Sequence, residues 1–145
     1  IIGLEPEGAP AMYEALKAGH PVTLEIIDRF VDGAAVKRVG DLTFPICKEV
    51  LDDMHLIAEG KVCSTILKLY NEDAIVVEPA GALSIAALDD FANEIKYKTV
   101  VCIVSGSNND IAKRRFGKTV IDGKCFTAIL IFGGCHSFNV DEEIV

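Results

Sequence analysis

The chain has 145 residues, and half of them are apolar, with a mean hydropathy of +0.34. A chain of this length and composition can form one domain around a sizeable core. Its formal net charge of −8 argues against nucleic acid and anionic membrane surfaces as partners, because both are negatively charged. No apolar run reaches the length of a membrane-spanning helix, and no signal peptide is visible. The N-terminal residues read as a strand already under way, so we expect them to continue a longer protein.

The cysteine pattern predicts a reducing compartment. The five cysteines are odd in number, scattered and without a CxxC pair: Cys47, Cys63, Cys102, Cys125 and Cys135. Each lies in an apolar context, which is typical of buried, reduced thiols in a cytoplasmic protein. No histidine stands at zinc-ligand spacing to a cysteine, so no zinc site is expected.

The hydrophobic pattern predicts strands alternating with helices. In chain order, the predicted elements are a strand at 1–4, a helix at 11–18, a helix from 41 or 43 to about 51, a strand at 54–58, a helix at 60–70, a strand at 74–77, a helix at 79–91 and a strand at 99–104. Gly19 is the predicted stop of the first helix, and Pro45 lies in the first turn of the second. This order predicts an α/β fold with a mainly parallel sheet flanked by helices.

Polar residues follow three of the predicted strands. Because ligands of parallel sheets bind beyond the carboxyl ends of the strands, Glu5, Glu78 and Ser105 are predicted on one rim. Gly106 allows a ligand to approach the backbone, and residues 107–109 can cap a helix or hold a polar ligand. The alternative interpretation makes both glutamates solvated loop residues, and residues 105–109 a turn and helix cap without a ligand.

Four stretches resemble the threonine ammonia-lyases (threonine dehydratases), in the order in which that family carries them. They are IGLEP at residues 2–6, DGAAVKRVGDLTF at 32–44, VEPAGAL at 77–83 and SGSNN at 105–109. The resemblance implies the tryptophan-synthase-β-like fold of enzymes that use pyridoxal phosphate. It identifies residues 1–111 as the C-terminal half of a catalytic domain, and 112–145 as a divergent tail, either a link to a regulatory domain or its remnant.

The same resemblance implies roles for five residues. Ser105 would hydrogen-bond the pyridine nitrogen of the cofactor, and a neutral hydroxyl there makes the ring a milder electron sink, which suits β-elimination. Gly33 would bring backbone close to the ring, and Glu78 would lie near it. Gly106 and Asn108 would shape the loop beneath it.

Some relatives in this family bind a divalent cation near the first strand, through an acidic residue, a backbone carbonyl and a second carboxylate. Glu5 and the Ala9 carbonyl match the first two positions, but Ala11 stands in place of the second carboxylate. We therefore expect no strong divalent site, with Glu5 and Ala9 as weak candidates; a monovalent ion stays open.

For the intact enzyme, the resemblance predicts a cytoplasmic homo-oligomer that converts threonine, a small amino-acid substrate, to 2-oxobutanoate and ammonia in isoleucine biosynthesis. The family's Schiff-base lysine, substrate loop and glycine-rich phosphate loop are not matched here, so no catalytic residue is assigned. We expect the chain alone to be inactive, as a fragment, a frameshifted product or one piece of a split enzyme. Two alternatives are a serine racemase or catabolic serine/threonine dehydratase of the same fold, and a non-catalytic module that binds a partner or effector.

Overall fold

The computed structural model describes residues 1–107, which form helices around a two-stranded parallel sheet. The elements are β1 (Ile2–Pro6), α1 (Ala11–Ala18), α2 (Thr43–Val50), β2 (Asp53–Ile57), α3 (Glu59–Asp73), α4 (Pro79–Ala86), a 3₁₀ turn (Leu88–Phe91) and α5 (Ala92–Ile95). The parallel register runs from Ile2 opposite Asp53 to Pro6 opposite Ile57. Within the described part, no helix is both long and apolar enough to cross a membrane. The predictions for Asn108, Cys125, Cys135 and residues 112–145 lie outside the described residues.

The first helices end where the sequence predicts. Gly19 adopts a left-handed φ of 78°, and its amide N–H donates to the Leu16 carbonyl at 3.2 Å, which stops α1. Pro45 lies in the first turn of α2, where its missing N–H costs no helix hydrogen bond. The small side chains of Ala11 and Ala15 are fully buried, which allows α1 to pack closely on its neighbours.

The larger core cluster lies between the sheet, α3 and α4. Its buried members are Val31, Ile57, Val62, Leu69, Val77, Ala82, Leu83, Ala86 and Ala87. Burying a valine, leucine or isoleucine side chain contributes about 1.5–3 kcal/mol, and six of the nine members are of these types. α4 supplies three of its members, and Ala87 follows directly at its C-cap.

Two predicted strands are absent from the described residues. Residues 74–77 and 99–104 carry β-prone sequences, but neither has a hydrogen-bonded neighbouring strand within residues 1–107. The expectation of a buried strand at 99–104 is wrong in this structure, where Val101 is 87% and Ile103 78% exposed. A strand depends on a neighbour that satisfies its backbone groups, and side-chain propensity cannot supply one.

The predicted helix over 79–91 is also shorter than expected. α4 ends at Ala86, and the chain continues as a 3₁₀ turn that contains Asp89 and Asp90. Asp90 accepts a hydrogen bond from Lys61 Nζ at 2.6 Å and lies 3.1 Å from His55 Nε2. The hydrogen bond from Lys61 lowers the pKa of Asp90, with a smaller contribution from His55. This surface ion pair joins the 3₁₀ turn to β2 and α3.

The three described cysteines are free and half-buried rather than buried: Cys47, Cys63 and Cys102. Burial raises the pKa of the Cys63 and Cys102 thiols. Both therefore stay protonated and weakly reactive near neutral pH.

Candidate functional site

Residues from three distant parts of the chain meet near the first turn of α4. Glu78 is the extended residue immediately before this helix, with φ −73° and ψ 160°. Gly33 lies in the turn at residues 30–34, and Gly106 lies shortly after the stretch at 99–104. The sequence separates Gly33 from Gly106 by more than half of the described chain, so only the fold brings them together.

The Glu78 carboxyl group lies between two glycines. A Cβ added to Gly106 would lie 2.5 Å from Glu78 Cγ and closer still to Cδ, and Gly106 has a φ of +70°. A Cβ added to Gly33 would lie 3.5 Å from Glu78 Oε1 and 2.9 Å from the Ala80 Cβ. The backbone is also tied, because the Glu78 N–H donates to the Gly106 carbonyl at 2.8 Å. Any side chain at Gly106 would displace the carboxylate and strain the backbone.

The backbone of Ser105 rests directly on α4. A Cβ added to Gly81 would lie 2.7 Å from the Ser105 carbonyl carbon and 2.9 Å from its amide nitrogen, and the carbonyl oxygen is closer still. Ser105 itself is exposed and Glu78 is half-buried. The Ser105 backbone therefore lies against Gly81, and the Glu78 carboxyl group lies against Gly106.

These groups fit the flat, polar-edged pyridine ring that the family resemblance implies. The fit rests on the chemistry of these groups and on the two glycines, since the absence of a Cβ at Gly33 and Gly106 leaves room for the Glu78 carboxyl group. A neutral hydroxyl is a suitable partner for a ring nitrogen, since it can donate or accept a hydrogen bond. Asn108, the fifth residue predicted here, lies outside the described residues.

Glu5 is buried, and its carboxylate caps the start of α1. Its side chain is only 8% exposed, and its two oxygens accept hydrogen bonds from the amides of Met12 at 2.8 Å and Tyr13 at 2.9 Å. These are two of the donors that a helix leaves unpaired at its start, and Pro10 at the cap position has no side-chain acceptor for them. The interpretation of Glu5 as a solvated loop carboxylate is therefore wrong.

The environment of Glu5 also bears on cation binding. Burial raises the pKa of Glu5, and the hydrogen bonds from Tyr13 and Met12 partly oppose that rise. The Ala9 carbonyl accepts the Ala11 N–H at 3.0 Å. Across residues 1–107, no three histidine, cysteine or acidic side chains come together as metal ligands do.

Sequence reasoning missed the contribution of Gly81 and Ser84 to this region. Ser84 Oγ donates to the Ile103 carbonyl at 2.7 Å, so α4 holds the chain just before Ser105. The available signal was a glycine inside a predicted helix, which lowers helix stability and therefore indicates a packing reason.

Comparisons with known proteins find a matching family and several relatives. The family described as pyridoxal-phosphate dependent enzyme matches residues 1–106. The L-threonine dehydratase biosynthetic IlvA of Halalkalibacterium halodurans is 64% identical over 113 residues, which cover 78% of this chain and 27% of that protein. The chain thus spans about a quarter of the length of the curated relatives it matches.

Two solved structures resemble the described fold. The processed form of threonine deaminase isoform 2 from Solanum lycopersicum superposes with a TM-score of 0.71 and 39% identity, covering 77% of this chain and 33% of that one. The maize serine racemase structure superposes with a TM-score of 0.70 and 29% identity, covering 77% of this chain and 36% of that one. The 64% identity to the Halalkalibacterium halodurans dehydratase is about twice the 29% identity to the maize racemase.

Proposed function

The chain belongs to the pyridoxal-phosphate dependent enzyme family, and from that premise we propose that it forms the ring-nitrogen side of the cofactor site in a threonine ammonia-lyase. The predicted fold class, a partial α/β fold of the tryptophan-synthase-β type, is confirmed by the family match and the threonine deaminase structure. The observation that carries the proposal is the meeting of Gly33, Glu78, Ser105 and Gly106 beside α4.

Each of these residues has a distinct task. When bound, pyridoxal phosphate supplies an electron sink for the pair left on the substrate α-carbon. The Ser105 hydroxyl bonds the ring nitrogen without carrying charge, so it does not hold that nitrogen protonated as a carboxylate would. Gly33 and Gly106 keep side chains out of the space beside the ring, and Glu78 borders the same space.

The reaction of the whole enzyme is the elimination of the β-hydroxyl of threonine, giving 2-oxobutanoate and ammonia. The 64% identity to a biosynthetic threonine dehydratase, against 29% to maize serine racemase, favours this substrate over racemisation of serine. The parent acts as a homo-oligomer in the cytoplasm, a location supported by free thiols at Cys47, Cys63 and Cys102. Its catalytic part ends near residue 111 in the numbering of this chain, and residues 112–145 form the divergent tail.

A titration of the full 145-residue chain with pyridoxal phosphate tests the cofactor assignment. We expect a saturable, reversible change in the cofactor's absorption, which S105A weakens and the control S64A leaves unchanged. Ser64 is the matched control because it is an exposed helical serine whose hydroxyl donates to its own helix, at the Gly60 carbonyl. Equal binding by all three proteins, or no binding by any, would contradict the assignment.

Borohydride reduction followed by peptide mapping then tests the expectation that this chain alone is inactive. The amine of Lys37 donates to the Glu25 carbonyl, and that of Lys61 donates to the Asp90 carboxylate. We expect no single lysine to be reduced onto the cofactor in high yield. A stoichiometric adduct on one lysine would show that the chain holds its own Schiff-base residue.

A further inference from the structure

The C-terminal half of α4 forms hydrogen bonds with the residues just before Ser105. Ser84 Oγ donates a hydrogen bond to the Ile103 carbonyl at 2.7 Å. Cys102 Sγ also donates a hydrogen bond to the Ser84 carbonyl, at 3.6 Å. Ser84 therefore bonds two consecutive residues, Ile103 through its side chain and Cys102 through its backbone carbonyl.

The N-terminal half of α4 holds the end of the same stretch. Glu78 N–H donates to the Gly106 carbonyl at 2.8 Å, and Gly81 lets the backbone of Ser105 approach the helix axis. Residues 102–106, called here the serine segment, are thus attached at both ends and in the middle.

The attachment points follow one another along the helix. Glu78, Gly81 and Ser84 are three residues apart, so they lie along one face of the helix and span about 9 Å. The serine segment runs antiparallel to the helix, because Ser84 bonds Cys102 and Ile103 while Glu78 bonds Gly106. These attachments at successive points allow the helix to fix the register of the segment.

The helix supports the serine segment at Ile103, Ser105 and Gly106. No strand in the described part pairs with this segment, and the Ile103 side chain is 78% exposed. Removing the hydrogen bond from Ser84 therefore removes one of the main-chain attachments of this segment.

We infer that Gly81 and Ser84 are positioning residues that set the register and height of the Ser105 hydroxyl. Gly81 sets the height, because any side chain there would push the Ser105 backbone away from α4. Ser84 sets the register, because its hydroxyl can bond only one carbonyl of the segment. The effect of this positioning on cofactor binding rests on the proposed function, whereas the positioning itself does not.

The test compares S84T with S84V in the full chain, because these side chains have the same shape and only threonine keeps the hydroxyl. The readout is the alkylation rate of Cys102 by iodoacetamide, followed by peptide mass spectrometry. Cys63 on α3 is the internal reference, since it is also half-buried with a raised pKa.

We expect S84V to raise the Cys102 rate about 2- to 10-fold, the population change that follows from losing one hydrogen bond. The Cys63 rate should not change, and S84T should stay close to the wild type. Equal Cys102 rates in the two variants would overturn the inference. A parallel rise at both cysteines would also overturn it, because Ser84 would then support the whole fold rather than the serine segment.

A second readout separates this inference from the proposed function. If the wild-type chain binds pyridoxal phosphate, we expect S84V to bind it more weakly than S84T does. Equal cofactor binding by both variants would show that the register of the segment does not matter to the site. If the wild-type chain binds no cofactor but the Cys102 contrast is present, the proposed function fails and the positioning role stands.

Discussion

Replacing Gly81 by alanine tests the contact on which the candidate site depends most. The added Cβ would lie 2.7 Å from the Ser105 carbonyl carbon, and an ordinary carbon–carbon contact is about 3.5 Å. The Ser105 backbone must therefore retreat by at least about 0.8 Å, between attachments at Ile103 and Gly106 that are only 2.7 and 2.8 Å long. Overpacking of this kind costs about 1–3 kcal/mol, and lost hydrogen bonds add to it, while alanine returns up to about 1 kcal/mol of helix propensity.

We expect G81A to lower the free energy of unfolding of the full chain by about 1–3 kcal/mol, measured by urea denaturation followed by circular dichroism. The matched control is G60A, because Gly60 is also near the start of a helix but nothing lies within 4 Å of its would-be Cβ. That variant should be as stable as the wild type or more stable, by up to about 1 kcal/mol. The steric argument is refuted if G81A unfolds at the wild-type urea concentration or above it.

Three further outcomes follow from local features. G106A should lose more stability than G19A in the same urea assay. Both glycines have a positive φ, so both variants incur the left-handed cost of about 1–2 kcal/mol, but only at Gly106 would the added Cβ collide with a side chain, that of Glu78. E5Q should cost more stability at pH 4 than at pH 7, because the raised pKa of Glu5 makes its contribution largest below the unfolded value of 4.5 and smaller as the pH rises through the folded value; a cost that grows with pH would contradict this sign. D90N should cost a fraction of a kcal/mol, about 0.2–1, at pH 7 and nothing near pH 2, because the bond to Lys61 lowers the pKa of Asp90 and its contribution disappears as the acid is protonated; a thermal melt at each pH measures it.

Local sequence signals predicted the helices well and the strands only in part. α1 and α3 follow from apolar spacing, and Gly19 marks the end of α1 because a left-handed residue favours glycine. The stretches at 74–77 and 99–104 read equally well as strands. They are not strands among the described residues, because pairing is a property of two segments and the sequence of one carries no information about its neighbour.

The residues of the candidate site were likewise predictable from local sequence only in part. Glu78 and Ser105 could be singled out because a polar residue follows an apolar run, and the structure brings the Glu78 carboxyl group and the Ser105 backbone to α4. The task of Glu5 could not be predicted from local spacing. Its carboxylate caps α1 from six residues before the helix begins, which depends on the turn through Pro6 and Pro10. The supporting role of Ser84 was equally hidden, because its partner at Ile103 lies 19 residues away.

The attachment of the serine segment to α4 has a practical consequence for handling this protein. The helix bonds main-chain atoms at Ile103 and Gly106. The exposed side chains of Val101 and Ile103 therefore contribute little to this attachment. These two side chains form an exposed apolar surface that favours self-association in concentrated solution. Exchanging both for threonine or lysine should improve behaviour during purification while leaving the geometry around the hydroxyl intact.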